Sequence, residues 1–174
     1  MALRRWQSEC LSTLLKKYQD YQTHCLVTAT PGAGKTFLAA TLVKNLFERG
    51  LIDFVICIAP SVDVADGFKV EISSLTNRRM DGRLGAFGES RTYHSLTHLD
   101  ERFWEILDDN NVLIIVDEIH HCGGLDLTIC NSWGLQLLKH VKDRATYTLA
   151  LSGTPWRTDR LPVTLNNYMK EIGS

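Results

Sequence analysis

The chain has 174 residues, 44% of them apolar and 22% charged, with a formal net charge of −1 and a pI of about 6.6. That composition excludes a disordered chain, and its longest apolar runs, such as Val112 to Val116, are far too short to cross a bilayer. It also excludes a compact nucleic-acid binder working through bulk positive charge, so any polymer contact must rest on local groups.

In chain order, Leu3 to Tyr21 reads as a helix with Trp6, Cys10, Leu14 and Tyr18 on one face. His24 to Thr30 reads as a strand that Pro31-Gly32-Ala33-Gly34 breaks, and Lys35 to Arg49 as a helix stopped by Gly50. Asp53 to Pro60 is a continuous apolar run, as expected of a strand buried on both faces, and Val62 to Leu75 follows as a helix. Asn77 to Ser90 is rich in Gly and Arg and reads as an exposed loop with a short strand at Leu84 to Phe87. Leu99 to Asp109 is expected to be a helix with Phe103, Ile106 and Leu107 inward. Asn111 to Asp117 and Thr146 to Ser152 read as two more buried strands, separated by a Gly-Gly loop and a helix from about Thr128 to Arg144. The tail after Arg157 has weak periodicity.

Short apolar strands alternating with amphipathic helices predict an α/β fold, a mostly parallel sheet sandwiched between helices. Neither a repeat nor a linker divides residues 1–174, so one domain is expected. The five cysteines (Cys10, Cys25, Cys57, Cys122 and Cys130) form no Cys-x-x-Cys pair and suit reduced thiols. No apolar signal core follows the basic start, Met1 to Gln7, so a cytoplasmic location without membrane association is expected.

Two segments carry chemistry. Ala29-Thr30-Pro31-Gly32-Ala33-Gly34-Lys35-Thr36 lies between a strand and a helix, the context in which backbone N–H groups and a helix N-terminus close around phosphate oxygens. Lys35 would reach the β- and γ-phosphates of ATP, and the Thr36 hydroxyl would ligate Mg²⁺. An ordinary glycine-rich turn is the bland alternative. Val112 to His121 places Asp117 and Glu118 at the carboxyl end of a buried strand, the edge where open α/β sheets bind ligands. There Asp117 can hold Mg²⁺ through water, and Glu118 can orient or deprotonate an attacking water. A solvated strand terminus is the alternative.

Taken together these residues resemble the superfamily 2 helicases and translocases. Ala29 to Thr36 looks like that family's form of the phosphate loop, in which Ala replaces the usual first Gly. Asp117-Glu118-Ile119-His120 is similar to its DExH box, and Ser152-Gly153-Thr154-Pro155 to its motif III. Leu3-Arg4-Arg5-Trp6-Gln7 resembles the segment whose glutamine reads adenine, which points to Gln7. Pro60 and Ser61, and Thr92 and Ser95, sit where the family's strand-contacting motifs lie. The resemblance implies a RecA-like P-loop NTPase domain that couples ATP hydrolysis to work on DNA or RNA, with His120, Ser152 and Thr154 as the coupling residues. It further implies a second RecA-like domain supplying an arginine finger. The chain is therefore expected to be the N-terminal part of a longer helicase, slow at hydrolysis alone. A nucleotide-responsive interaction module without motor activity is the alternative, and a small-molecule kinase a weaker one. Arg78, Arg79, Arg83 and Arg91 could touch phosphates of a bound strand or simply solvate a loop. His121, Cys122 and Cys130 lack the spacing of a zinc site.

Overall fold

Continuous apolar strands need cover on both faces, and the fold supplies it with two helical layers. The computed structural model describes residues 2–122 and 131–153, and the backbone of residues 170–172. The elements are α1 (Arg5–Gln19), β1 (His24–Thr28), α2 (Lys35–Glu48), β2 (Phe54–Ala59), α3 (Val62–Thr76) and β3 (Gly88–Thr92). After them come the short helices α4 (Tyr93–Leu96), α5 (Glu101–Trp104) and α6 (Ile106–Asp109), then β4 (Val112–Val116) and a 3₁₀ turn at Ile119–His121. The described chain ends with α7 (Ser132–Gln136), a π turn at Leu137–Val141, β5 (Tyr147–Ser152) and β6 (Lys170–Ile172). The sheet runs β3-β2-β4-β5-β1-β6, and each of these pairings is parallel.

Strand alternation sorts the core into two slabs. Val27, Val55, Cys57, Leu113, Ile115, Leu149 and Leu151 face α1, α2 and α3. Leu26, Ile56, Ile58, Ile114, Val116 and Ala150 face α4 to α6, the 3₁₀ turn and the π turn. The sandwich of helices around a parallel sheet is thus the architecture expected, with the predicted mostly parallel sheet entirely parallel in its named strands. No helix of the described residues is long and apolar enough to cross a membrane.

The departures are local. In α1 the inward face carries Gln7, Cys10, Leu11, Leu14 and Tyr18, with Trp6 only half-buried, because Gln7 turns toward the loop after β1. The predicted strand at Leu84 to Phe87 is displaced: Leu84 is fully exposed, and the strand starts at Gly88. This edge strand reads Gly-Glu-Ser-Arg-Thr, with no apolar alternation to announce it, and its placement comes from backbone pairing with β2. The helix predicted from Leu99 to Asp109 is two single turns, the first capped by Asp100 Oδ1 accepting from Phe103 N–H at 3.2 Å. Its inward residues are Trp104 and Leu107, whereas Phe103 and Ile106 are half-buried. The last predicted helix is observed from Ser132 and widens into the π turn; Thr128 to Cys130 lie outside the described residues. Strand β6 had no sequence signal.

Gly88 and Gly67 offer opposite tests of this packing. A Cβ on Gly88 would press into Val55 O on the neighbouring strand, whereas one on Gly67, in α3, meets nothing within 4 Å. Gly88→Ala is expected to destabilise by about 2–3 kcal/mol, as an overpacked backbone contact. Gly67→Ala is expected to stabilise by about 0.5–1 kcal/mol through helix propensity and unfolded-chain entropy. Urea unfolding of the two variants checks both signs.

Candidate functional site

The parallel register brings the carboxyl ends of five strands to one edge. Thr28 is level with Ser152, Val116 with Ala150, Ile58 with Val116, and Ala59 with Thr92. Segments far apart in sequence therefore meet there: the loop after β1, the Asp117-Glu118 turn after β4, Ser152-Gly153 after β5, Pro60-Ser61 after β2 and Thr92 to Ser95 after β3. Open α/β sheets bind their ligands at this edge.

The loop after β1 is tied to the end of β5 and closed by a turn of its own. Ala29 N–H donates to Ser152 O at 3.0 Å, and Ala33 N–H to Thr30 O at 3.1 Å. Gly32 and Gly34 have φ of +75° and +93°, a region that only glycine enters without strain. Gly34 also caps α2, and a Cβ there would sit 2.6 Å from Gln7 Nε2. Gln7 fills that space: its Nε2 donates to Gly34 O at 2.9 Å, and its Oε1 accepts Arg4 N–H at 2.7 Å. Arg4 Nη1 reaches Ala33 O at 3.3 Å. Thr30, Pro31 and Gly32 are exposed, and Thr36 is half-buried in the first turn of α2. The loop thus sets exposed, glycine-rich backbone beside a helix N-terminus, the arrangement that suits a polyphosphate.

Lys35 is buried and points across the edge, with Nζ 2.8 Å from Glu118 Oε1 and 3.3 Å from Ala29 O. The other oxygen of Glu118 accepts Gly153 N–H at 3.1 Å and lies 3.3 Å from His120 Nδ1. His120 Nδ1 is also 2.9 Å from Ser152 Oγ, a direct link between the turn after β4 and the end of β5. Burial alone would raise the Glu118 pKa, but the hydrogen bonds from Lys35 and Gly153, with the charges of Lys35 and His120, hold it below the usual carboxylate value. Glu118 itself has φ 50° and ψ 51°, a left-handed conformation that is strained by about 1 kcal/mol for a residue with a Cβ.

Asp117 is the opposite case. Burial, then the neighbouring Glu118 charge, push its pKa up to about 6, although Lys35 pulls against them. Its Oδ1 is buried with no hydrogen-bond partner among the described residues. A buried carboxylate oxygen left open beside a phosphate-suited loop and a half-buried Thr36 fits a divalent cation such as Mg²⁺. Among the described residues no group of three His, Cys, Asp or Glu is placed to hold a metal, and Cys130 lies outside them.

The strand-end positions also have structural partners. Ser61 Oγ caps α3 by accepting Val64 N–H at 3.4 Å, and Ser95 Oγ donates to Thr92 O at 2.7 Å. Pro60 and Ser61 are exposed, and Thr92 and Ser95 half-buried, on adjacent strand ends. Arg78 and Arg79 lie at the far end of α3: Arg78 sits over the Phe47 ring and Arg79 donates to Leu84 O. Both are thereby engaged away from this edge. Thr154 and Arg157 lie outside the described residues. Sequence reasoning missed the Gly153 N–H on Glu118 and the Arg4 contact on the loop. It also missed the Tyr93 hydroxyl, which donates to Asp117 O at 2.6 Å. Each involves a main-chain atom, which every residue type shares; the motif spacing at Gly153 was the only available pointer.

Similarity to known proteins identifies the family and the fold. The family described as type III restriction enzyme, res subunit, matches residues 1–157. An uncharacterized protein of Mycobacterium leprae is 28% identical over 177 residues, covering 95% of this chain and 28% of its own length. An uncharacterized protein of Mycobacterium tuberculosis is 26% identical over 179 residues, covering 97% and 28%. The chain therefore spans little more than a quarter of the curated relatives it matches. The Sulfolobus solfataricus SWI2/SNF2 ATPase core in complex with dsDNA superposes with a TM-score of 0.72 at 18% identity, over 89% of this chain and 32% of that one. The Pyrococcus furiosus Hef helicase domain gives 0.71 at 18%, over 98% and 38%. The UvsW helicase of bacteriophage T4 gives 0.71 at 10%, over 100% and 61%. These likenesses assign the fold to the RecA-like class.

The Asp117 environment carries a pH signature. Its carboxyl ionises near 3.8 in an unfolded chain and near 6 when folded, so the native state pays for burying the charge as pH rises between those values. Asp117→Asn is expected to raise unfolding stability by about 1–3 kcal/mol at about pH 7.5 and to change it little below about pH 4. Denaturant midpoints across that range check it, and Mg²⁺ should stabilise the parent but not the variant.

Proposed function

The chain belongs to the type III restriction enzyme res-subunit family, and from that membership we propose that it is the ATP-binding first RecA-like domain of a DNA-dependent motor of superfamily 2. The observation that carries the reading is the Lys35–Glu118 contact with Asp117 Oδ1 open beside it, because it sets a phosphate-seeking cation, a base and a metal-seeking carboxylate on one strand edge.

Lys35 has two competing partners in this scheme. Without nucleotide it neutralises Glu118; a polyphosphate in the loop of residues 30–36 draws it away and frees Glu118 Oε1 to accept a proton from water. Glu118 stays oriented meanwhile by Gly153 N–H and His120 on its other oxygen. Thr36 and Asp117 would hold Mg²⁺, which neutralises charge developing on the phosphates. His120 and Ser152 are the coupling pair, and Thr154 completes the same segment.

Gln7 is kept for adenine. Its bonds to Arg4 and Gly34 leave one amide proton and one lone pair for a base edge, and they make it a brace of the loop as well. Pro60, Ser61, Thr92 and Ser95 are the contact points for a nucleic-acid strand. DNA is favoured over RNA because the SWI2/SNF2 core of the same fold was solved with dsDNA. A second RecA-like domain, supplying the arginine finger, is part of this reading, and the curated relatives are long enough to hold one.

The test is ATPase activity of the complete protein with single-stranded DNA, double-stranded DNA or RNA. DNA is expected to stimulate the parent, and Glu118→Gln to lower the stimulated rate by about 10²-fold or more, as expected for loss of a general base. Absence of stimulation by every polymer contradicts the motor reading and leaves the interaction-module alternative.

A further inference from the structure

We propose that Tyr93 is a positioning residue that ties the segment Thr92 to Ser95 to the Asp117-Glu118 turn, so that a strand held at the first alters the geometry of the second. The inference rests on the motor reading above and adds a route by which polymer and nucleotide sites communicate.

Tyr93 begins α4, between the two strand-end positions Thr92 and Ser95, and it is completely buried. Its hydroxyl donates to the main-chain carbonyl of Asp117 at 2.6 Å. That carbonyl lies one residue past the end of β4, where Asp117 N–H makes the last bond, to Ile58 O at 2.8 Å. No named β4 pairing extends to Asp117, so the phenol supplies the acceptor's partner from another segment. Glu118, the next residue, is in the left-handed region, and a strained turn persists only where its surroundings restrain it. Tyr93 restrains it from the β3 side, while Lys35, Gly153 and His120 do so through the side chain.

The ring is clamped as well. It stacks on Trp133 with centroids 5.1 Å apart and planes at 21°, and His121 of the 3₁₀ turn lies 6.4 Å away. Ser95 Oγ closes the same turn onto Thr92 O. A displacement of Thr92 to Ser95 by a bound strand therefore has a short, packed path to Asp117: one residue, one aromatic ring and one hydrogen bond. The path joins the two sites without using a residue that touches nucleotide.

Tyr93→Phe removes the hydroxyl and keeps the ring. In the complete protein, ATPase is measured against rising concentrations of single- and double-stranded DNA, with polymer affinity read by anisotropy. The ratio of maximal stimulated to basal rate is expected to fall about fivefold or more, the scale of a coupling carried by one buried hydrogen bond, with DNA affinity unchanged within about twofold. A variant ratio equal to the parent's overturns the inference and leaves the motor reading standing. So does a DNA affinity that falls in step with the ratio, since Tyr93 would then only support the contact segment. A parent that no polymer stimulates overturns both. Should the variant melt early, hydrogen exchange of the parent decides: DNA is expected to change protection at Ile119 to His121, and no change there overturns the inference.

Discussion

The carboxylate of Glu118 holds the site edge together. One oxygen takes Lys35 from the loop after β1, and the other takes Gly153 N–H from the end of β5, with His120 alongside. Lys35 is 9% exposed and Glu118 21%, so the pair is dry enough that removing one partner leaves the other poorly compensated. The same contacts hold a left-handed backbone in place at Glu118. Nucleotide binding, in this account, is a competition for Lys35 within a restrained turn.

That competition is possible only because the sheet is parallel and in register. Parallel strands end on a common edge, and the order β3-β2-β4-β5-β1 places the Asp117 turn between the strand-end positions Pro60 and Thr92 on one side and the glycine loop on the other. The strand ends lie close enough for single contacts to join these regions. Ala29 N–H on Ser152 O, His120 on Ser152 Oγ and Tyr93 on Asp117 O do so over single hydrogen bonds.

The sequence was legible where burial is two-sided. Strands β1, β2, β4 and β5 read as apolar runs because both their faces meet helices, and their ends were placed within two residues. Strand β3 is an edge whose polar residues follow no period, so it was placed four residues too early. In the site, Lys35, Asp117, Glu118, His120 and Ser152 could be picked out because their chemistry resides in side chains at recognisable spacing. Gly153 N–H, the carbonyls of Ala33 and Gly34, and the carbonyl of Asp117 could not, since main-chain atoms carry no residue identity. Gln7 shows the mixed case: a contact with adenine was expected of it, but not that both ends of its amide would already be engaged by Arg4 and the glycine loop.

Affinity for a non-hydrolysable ATP analogue in the Glu118→Gln variant tests the competition most directly. If Glu118 restrains Lys35 before nucleotide arrives, neutralising it should release the lysine and tighten binding by about 3- to 10-fold, the range set by a partly buried ion pair. Unchanged or weaker binding, in a variant that folds normally and has lost hydrolysis, would show that Lys35 is not held back by Glu118 and would contradict the account.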